Sequence, residues 1–224
     1  ITENKKVLLG RYNFVGGKVI GAYSNDREKT EMVEDTQEEH TTDNKPATDI
    51  DDFIQSVRDN HGYYIARYEA GIVGYDENNI ITSNTNTSNY DWTGYSPKVG
   101  EELKLVNRLG VQPWNLITQN RASTLCQDLY PNVKTDLINS YAWDTAMLFI
   151  QQKGKKSNSN MYSEQVGLST TTDKIQNTGK GILESTKKAD EQCNIYDMAG
   201  NCWEWTTESN LSSGGSCILR GGLY

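Results

Sequence analysis

The segment "YDMAGNCWEWTTE" constrains the fold more than any other part of the sequence. Gly200 and Asn201 favour a tight turn, because both residue types tolerate positive φ at low cost. Strand alternation after that turn places Trp203 and Trp205 on one face and Glu204 on the other. We therefore predict that the two indoles fill a core while the carboxylate faces a different environment.

Glu204 has two candidate roles. Its carboxylate can form an internal ion pair with Arg220, whose guanidinium suits a buried or half-buried acid. Alternatively, Glu204 and Asn201, with nearby backbone carbonyls, supply the hard oxygen ligands that calcium prefers, and Asp197 is a further candidate ligand. The Gly221–Gly222 pair that follows Arg220 indicates a close approach of two backbone segments, which favours a structural role for the arginine.

The composition restricts the classes of function. The chain has 224 residues, which suits one principal core, and only 35% of them are apolar. Its 19 glycines and many polar residues indicate much turn and irregular loop. The formal net charge of −8 repels the phosphate backbone, so we expect no nucleic-acid partner. No apolar run reaches about 18 residues, so we expect no membrane contact by this segment.

Thiol and imidazole chemistry has little support in the sequence. The four cysteines are Cys126, Cys193, Cys202 and Cys217. They are too sparse for a disulfide framework, and no C-x-x-C pair indicates a structural zinc site. The two histidines, His40 and His61, have no candidate ligand or nucleophile beside them in the sequence. Catalysis by histidine is therefore not indicated.

The first third of the chain predicts three regular elements. Two β-prone runs within residues 7–23 are separated by Gly16-Gly17, which predicts a hairpin. After an acidic loop, apolar residues at helical spacing predict a helix over 49–59 with Thr48 as its N-cap. "GYYIARYEAGIVG" (62–74) then predicts a strand of the central sheet.

Two further helices are predicted in the second half of the chain. The first begins at a cap on Thr118 and ends before Pro131. Its apolar stripe consists of Ala122, Leu125, Cys126 and Leu129. The second covers about 140–152, with Asn139 or Ser140 as its cap and Gly154 at its end. Its inner stripe consists of Trp143, Ala146, Met147 and Ile150. We expect both helices to pack against the sheet, with Cys126 as a core thiol.

A polar loop supplies the best candidates for ligand contact. Residues 75–100 contain almost no aliphatic side chains but include Trp92 and Tyr95. Aromatic faces provide contact area at low entropic cost, and binding residues commonly lie on loops held by a rigid scaffold. We therefore predict that Trp92 and Tyr95 contact a protein or carbohydrate ligand.

Four segments follow the order of one known family. "GYYIARYEAG" resembles its early strand, F-x-I-x-x-Y-E, and "VQPWNLITQNRASTLCQDL" is similar to P-V-x-x-V-S-W-x-x-A-x-x-F-C, with Ala122 and Cys126 at matching positions. "LINSYAWDTA" resembles L-P-T-E-A-E-W-E-x-A, in which Trp143 and Asp144 keep the tryptophan and the acid. "YDMAGNCWEWT" and then "ILRGG" nearly match Y-D-M-x-G-N-V-W-E-W and V-x-R-G-G. The chain thus resembles the formylglycine-generating-enzyme/sulfatase-modifying-factor domain.

This resemblance implies an α+β fold of the C-type-lectin-like type. Two helices would pack on a small twisted antiparallel sheet, with much irregular loop. The likeness covers residues 61–224, which are expected to form the domain and to be incomplete at the C-terminus. Residues 1–60 hold the hairpin, acidic loop and first helix, as an extension or as part of the same domain. The structural signature comprises Gly200, Trp203, Trp205, Arg220, Gly221, Gly222 and Trp143. The resemblance also strengthens the expectation of calcium at Asp197, Asn201 and Glu204.

The resemblance also bears on catalysis. In the enzymes of this family, the cysteines that bind copper and attack the substrate cysteine lie beyond the R-G-G motif, in a stretch that this sequence does not contain. Cys202 occupies the aliphatic position of the signature and Cys217 precedes the strand that leads to R-G-G, so both are poor substitutes. No catalytic residue is therefore assigned.

We interpret the chain as a non-catalytic ligand-binding or display domain of an extracellular, filament or phage-associated protein. We expect this domain to be extracellular, at a cell surface or on a virion. We expect its partner to be a protein or a carbohydrate on another surface. Two alternatives stay open. One is a formylglycine-generating oxidase whose catalytic cysteines lie beyond residue 224. The other is a structural subunit of a pilus-like filament, which would self-assemble.

Overall fold

The computed structural model describes twelve stretches of the chain. They are residues 6–15, 18–23, 32–34, 47–75, 80–81, 102–109, 113–114, 117, 119–154, 191–198, 203–210 and 216–221. The chain divides into two compact units, each assembled from separate segments. The first unit comprises residues 1–65, 119–159 and 204–220, and the second comprises residues 66–118, 160–203 and 221–224.

Three helices and ten short strands lie in the described residues, which is the predicted α+β class. The helices are α1 (Ile50–Asn60), α2 (Gln119–Gln127) and α3 (Ser140–Lys153). The strands are β1 (Tyr12–Val15), β2 (Lys18–Ala22), β3 (Met32–Glu34), β4 (Gly71–Tyr75), β5 (Ile80–Ile81), β6 (Glu102–Val106), β7 (Glu191–Gln192), β8 (Ile195–Tyr196), β9 (Trp203–Asn210) and β10 (Ser216–Gly221).

α3 forms the centre of the first unit, and its prediction is confirmed. The Asn139 side chain accepts a hydrogen bond from the Ala142 amide at 2.9 Å, as expected of an N-cap, and the Gly154 amide donates to the Ile150 carbonyl at the other end. The predicted inner stripe is buried, at Trp143, Ala146, Met147 and Ile150. The buried face also includes Ala142, Asp144 and Thr145, so this helix is enclosed on most of its circumference.

The predicted hairpin is confirmed and packs on α3. β1 and β2 pair antiparallel, with a bulge between Asn13 and Phe14, while Gly16-Gly17 lies outside the described residues. The Gln151 side chain accepts from the Val19 amide at 2.7 Å and donates to the Val19 carbonyl at 3.2 Å. Gln151 thus pairs with this strand in the way a peptide group of a neighbouring strand would.

The first helix of the chain is also confirmed, but its cap differs by one residue. The Asp49 carboxylate accepts from the amides of Asp51 (2.8 Å) and Asp52 (3.3 Å), whereas Thr48 was predicted as the cap. Asp49 has φ −56° and ψ 139°, so it is the last non-helical residue and its side chain reaches the free amides. His61 ends the helix in the left-handed region at φ 59°.

α2 exists as predicted, but the prediction of its buried face is wrong. The buried residues are Gln119, Asn120, Ser123 and Thr124. The predicted apolar stripe, Ala122, Leu125, Cys126 and Leu129, is only half-buried. The physical reason is that this helix packs against hydrogen-bonding partners: the Ser123 hydroxyl donates to Asp136 at 2.7 Å, and the Gln119 amide donates to carbonyls of β9. Apolar periodicity cannot reveal such an interface.

β9 is the middle strand of the sheet β10-β9-β3. β3 pairs with it antiparallel, with Glu34 opposite Glu208. Thr206, Thr207 and Glu208 are all buried, so this part of the strand is covered on both faces. The Thr207 amide donates to the Ile138 carbonyl at 3.0 Å, which ties the strand to the residues just before α3.

In the second unit, β4 is central to the sheet β5-β4-β6, and β7 and β8 form a hairpin. Cys193 and Asn194 form its two-residue turn with φ of 56° and 66°, as a type I′ turn requires. The predicted strand over 62–74 is wrong for its first part, because only Gly71–Tyr75 is a strand. Before Gly71, the backbone makes individual hydrogen bonds rather than the repeated hydrogen bonds of a β-ladder. For example, the Arg67 carbonyl accepts a hydrogen bond from the Tyr196 amide.

Candidate functional site

The N-terminal half of α3 supplies the first two side chains of the candidate site. Trp143 is 7% exposed, and the neighbouring Asp144 is completely buried. A buried carboxylate needs charged or hydrogen-bonding partners, because leaving it unpaired costs several kcal/mol, on the order of 3–5. Asp144 therefore needs such partners within its buried surroundings.

β9 and β10 supply a second buried carboxylate and its main partner. Arg220 donates from Nε to Glu208 Oε2 and from Nη2 to Glu208 Oε1, both at 2.7 Å. This is the bidentate geometry that suits a guanidinium and a carboxylate. Arg220 also approaches Asp144 Oδ1 with Nη1 at 3.4 Å, so it joins the strand pair to α3.

Arg11 completes a group of four buried or half-buried charges. Its Nε donates to Asp144 Oδ2 at 2.7 Å, and its Nη2 lies 3.0 Å from Glu208 Oε1. Arg11, Asp144, Glu208 and Arg220, which we call the charge cluster, contain two positive and two negative groups. Each acid contacts both arginines. With two charges of each sign, the charge cluster is formally neutral, and its two acids, Asp144 and Glu208, are shielded from water.

The pKa shifts reflect the competition between burial and pairing. Burial lowers the pKa of Arg11, but the charges of Glu208 and Asp144 outweigh this effect, and the net shift is upward. Burial raises the pKa of Asp144, and the attraction of Arg220 and Arg11 offsets that shift only in part. The net shift of the Asp144 pKa is therefore upward, because desolvation of the charged carboxylate outweighs its attraction to the two arginines.

The Trp143 indole covers one side of the charge cluster. Its Nε1 donates to Glu204 Oε2 at 2.9 Å, and the Arg220 guanidinium lies 5.3 Å from the ring centroid, within cation–π range. Phe14 meets the same ring edge-on at 5.8 Å between centroids. Trp143 therefore links α3, β9 and the hairpin through one side chain.

The prediction that Trp203 is a core residue is wrong. Its side chain is 51% exposed, and Trp205 is half-buried. Trp203 is the first residue of β9, whereas burial is complete only further along the strand, from Thr206 to Glu208.

The structure shows partners for both Glu204 and Arg220. Glu204 accepts from Trp143, and Arg220 pairs with Glu208 and Asp144. Arg220 is half-buried and makes internal ion pairs, in agreement with its expected role. Gly221 ends β10 with φ 82°, a left-handed conformation that favours glycine.

Sequence reasoning missed Glu208 and Arg11 as members of the site. Glu208 follows Glu204 by four residues, so strand alternation places both on one face, and that signal was present in the sequence. Arg11 is a lone charge in the apolar, β-prone run "VLLGRYNFV", which is a weaker signal of burial. Its partners could not be inferred, because they lie more than 130 residues away in the chain.

Several predicted site residues lie outside the described residues. They are the loop aromatics Trp92 and Tyr95 and the signature residues Gly200, Asn201 and Gly222. Of the predicted calcium ligands, Asp197 is 3% exposed with φ 62°, and Glu204 accepts from Trp143. In the stretches that the structure describes, no group of three or more His, Cys, Asp or Glu side chains is placed to hold a metal ion.

The Cys126 thiol shows little reactive character. Cys126 and Cys193 are not in disulfides. Burial raises the pKa of Cys126 to about 12, and the nearby Asp136 charge adds to the shift. The thiolate is the nucleophilic form, so the raised pKa leaves this half-buried thiol unreactive at neutral pH. The side chains of Cys202 and Cys217 lie outside the described part of the chain.

Comparison with protein-family models gives one match that bears on the site. Residues 83–224 match the Sulfatase-modifying factor enzyme 1-like domain, over more than half of the chain. No curated protein and no solved structure matches the chain significantly. The matched range includes Asp144, Glu208 and Arg220 of the charge cluster, but not Arg11. Among the described helices, none is long and apolar enough to cross a membrane.

Proposed function

The chain belongs to the sulfatase-modifying factor enzyme 1-like domain family, and from this premise we propose that it is a non-catalytic ligand-binding or display domain on a C-type-lectin-like scaffold. The ligand is a protein or a carbohydrate on another surface. Such a domain acts outside the cell, at a cell surface or on a virion. The fold supplies rigidity, and the polar loops supply contacts.

The observation that carries this proposal is the engagement of the signature side chains with one another. Glu204 accepts from Trp143, while Arg220 holds Glu208 in a bidentate pair and approaches Asp144. Asp144 and Glu208 are completely buried, so a substrate cannot reach them without opening the core. These contacts support a scaffold role for the signature and leave ligand binding to other parts of the chain.

The ligand-contact prediction for Trp92 and Tyr95 is tested by binding to glycan and surface-protein arrays. We expect the double variant Trp92→Ala/Tyr95→Ala to lose binding and to keep the thermal midpoint of the parent. The matched control is Tyr64→Ala/Tyr130→Ala, which removes two exposed aromatic rings elsewhere. Binding that survives the first double variant, or is lost equally in the control, would contradict the assignment.

The family match also favours a second candidate, the oxidase. In that case the catalytic cysteines lie beyond residue 224, and this chain supplies the scaffold. The discriminating assay supplies copper, oxygen, a thiol reductant and a cysteine-containing sulfatase-type peptide to the polypeptide extended past residue 224; the peptide cysteine and the reductant each give two electrons to O2, and sulfide leaves. Conversion of the peptide cysteine to an aldehyde, detected by mass spectrometry, would establish the oxidase and refute the non-catalytic proposal.

Calcium at Asp197, Asn201 and Glu204 stays a prediction with its own test. An ion bound only to the native state raises the thermal midpoint, so a chelator must lower it. The comparison is between melting curves in calcium and in excess EGTA, with Glu204→Gln as the variant that should abolish the difference. An identical midpoint in both buffers would remove calcium from the proposal.

A further inference from the structure

We propose that the N-terminal arm, residues 6–15 and 18–23, is needed to keep the charge cluster and the unit around α3 folded. We call this arm the clamp. The family match begins at residue 83, so this arm lies outside it. The structure nevertheless places the arm in the same compact unit as α3, β9 and β10.

The first support is charge balance. Asp144 and Glu208 are completely buried, and Arg11 supplies one of the two guanidinium groups that each of them contacts. With the arm removed, Arg220 is the remaining guanidinium of the charge cluster, and its three remaining members carry a net charge of −1. A buried charge without its partner is strongly destabilising, whereas the complete cluster is neutral.

The second support is the hydrogen bonding between the arm and α3. The Tyr12 amide donates to Asp144 Oδ2 at 3.0 Å, and the Gly10 amide donates to Thr145 Oγ1 at 3.1 Å. Further along, Gln151 bonds both the amide and the carbonyl of Val19. Because Asp144 and Thr145 are buried, loss of the arm would leave their polar atoms without these partners.

The third support is the packing of the β1–β2 hairpin against α3. A two-stranded hairpin is at best marginally stable by itself, so β1 and β2 depend on packing against α3. That packing uses Phe14 against the Trp143 ring and the buried side chain of Val19, whereas Val15 and Ile20 are exposed. The dependence between the arm and α3 is therefore mutual.

The first test compares substitutions in the full chain. Arg11→Met removes the charge but keeps much of the side-chain volume, and we expect it to lower the thermal midpoint by about 5–15 °C. Lys6→Met is the matched control, because Lys6 is an exposed cation of the same arm and its midpoint should not change. Arg11→Met/Glu208→Gln restores neutrality and should recover part of the loss. Equal midpoints for Arg11→Met and Lys6→Met would overturn the proposal.

The second test remains informative even where Arg11→Met does not fold. A protease recognition sequence is inserted between residues 24 and 30, and the purified protein is cut. Co-elution of the arm peptide with the folded remainder, or unfolding of the remainder when the peptide leaves, supports the clamp. Separation of the peptide from a remainder that keeps the parent midpoint would overturn it.

Discussion

At the residue scale, Trp143 and Cys126 show how similar sequence signals lead to different environments. Both were predicted to lie on inner stripes of helices. Trp143 is buried and its indole nitrogen donates to Glu204, whereas Cys126 is only half-buried and has a thiol with a raised pKa. The environment of Trp143 predicts a contribution to stability, and that of Cys126 predicts a dependence of stability on pH.

Trp143→Phe tests the value of the indole hydrogen bond. The substitution keeps an aromatic ring but leaves Glu204 without its Nε1 donor, so we expect a loss of about 1–3 kcal/mol in the free energy of unfolding. Trp203→Phe is the control and should cost well under about 1 kcal/mol, because that side chain is half-exposed. Urea denaturation measures both. A similar loss in the free energy of unfolding for Trp203→Phe would contradict this ranking and support the prediction that Trp203 packs in the core.

Cys126 predicts a fall in stability at high pH. Its pKa is raised from 9.0 to about 12 in the folded protein, so the unfolded state loses the thiol proton first. The stabilising contribution is complete below pH 9 and is lost as the pH rises towards 12, with a slope of at most about 1.4 kcal/mol per pH unit. Urea denaturation of the parent and of Cys126→Ala, from pH 8 to 11, measures the difference. Parallel curves would show that the thiol does not contribute.

At the element scale, local sequence determines where helices begin, while their neighbours determine what the helix faces bury. The caps of α1 and α3 are local carboxylate and amide side chains, but α1 has no buried residue and α3 is enclosed on most sides. α2 illustrates the second point, because its buried face is polar and bonds to Asp136 and to carbonyls of β9.

Removal of the two caps should therefore have unequal effects. Asn139→Ala removes the acceptor for the Ala142 amide at the start of the buried helix, and we expect a loss of about 1 kcal/mol in global stability. Asp49→Ala, at the exposed α1, should mainly increase local fraying. Urea denaturation reports the global effect and amide hydrogen exchange the local one. A larger global loss for Asp49→Ala would contradict this ranking of the helices.

At the scale of the whole molecule, the described contacts of the first unit are strongly non-local. Its charge cluster joins residues 11, 144, 208 and 220, which belong to three separate segments of the chain. Such contacts form only after long loops have closed, which opposes folding through chain entropy. Once formed, the cluster joins these segments, because each buried acid contacts both arginines.

Glu208→Gln tests this dependence. The substitution leaves Arg11 and Arg220 facing one carboxylate instead of two, so we expect a loss of about 3–5 kcal/mol in the free energy of unfolding. Asp52→Asn, at an exposed acid in the first turn of α1, should cost less than about 1 kcal/mol. Urea denaturation at neutral pH compares them. Similar small losses in both variants would show that the cluster does not hold the segments together.

Much of the local structure and the family of this protein follow from the amino-acid sequence alone. Helix caps, the hairpin and the inner stripe of α3 depend on neighbours a few residues apart, and the ordered motifs identified the family that the match at residues 83–224 confirms. Only the tertiary structure decided which acid each arginine holds, which face α2 buries and which indole is covered. Those choices depend on partners beyond the reach of local periodicity, from 12 residues away for Arg220 with Glu208 to 133 residues away for Arg11 with Asp144. A pattern of a few residues contains no information about such partners.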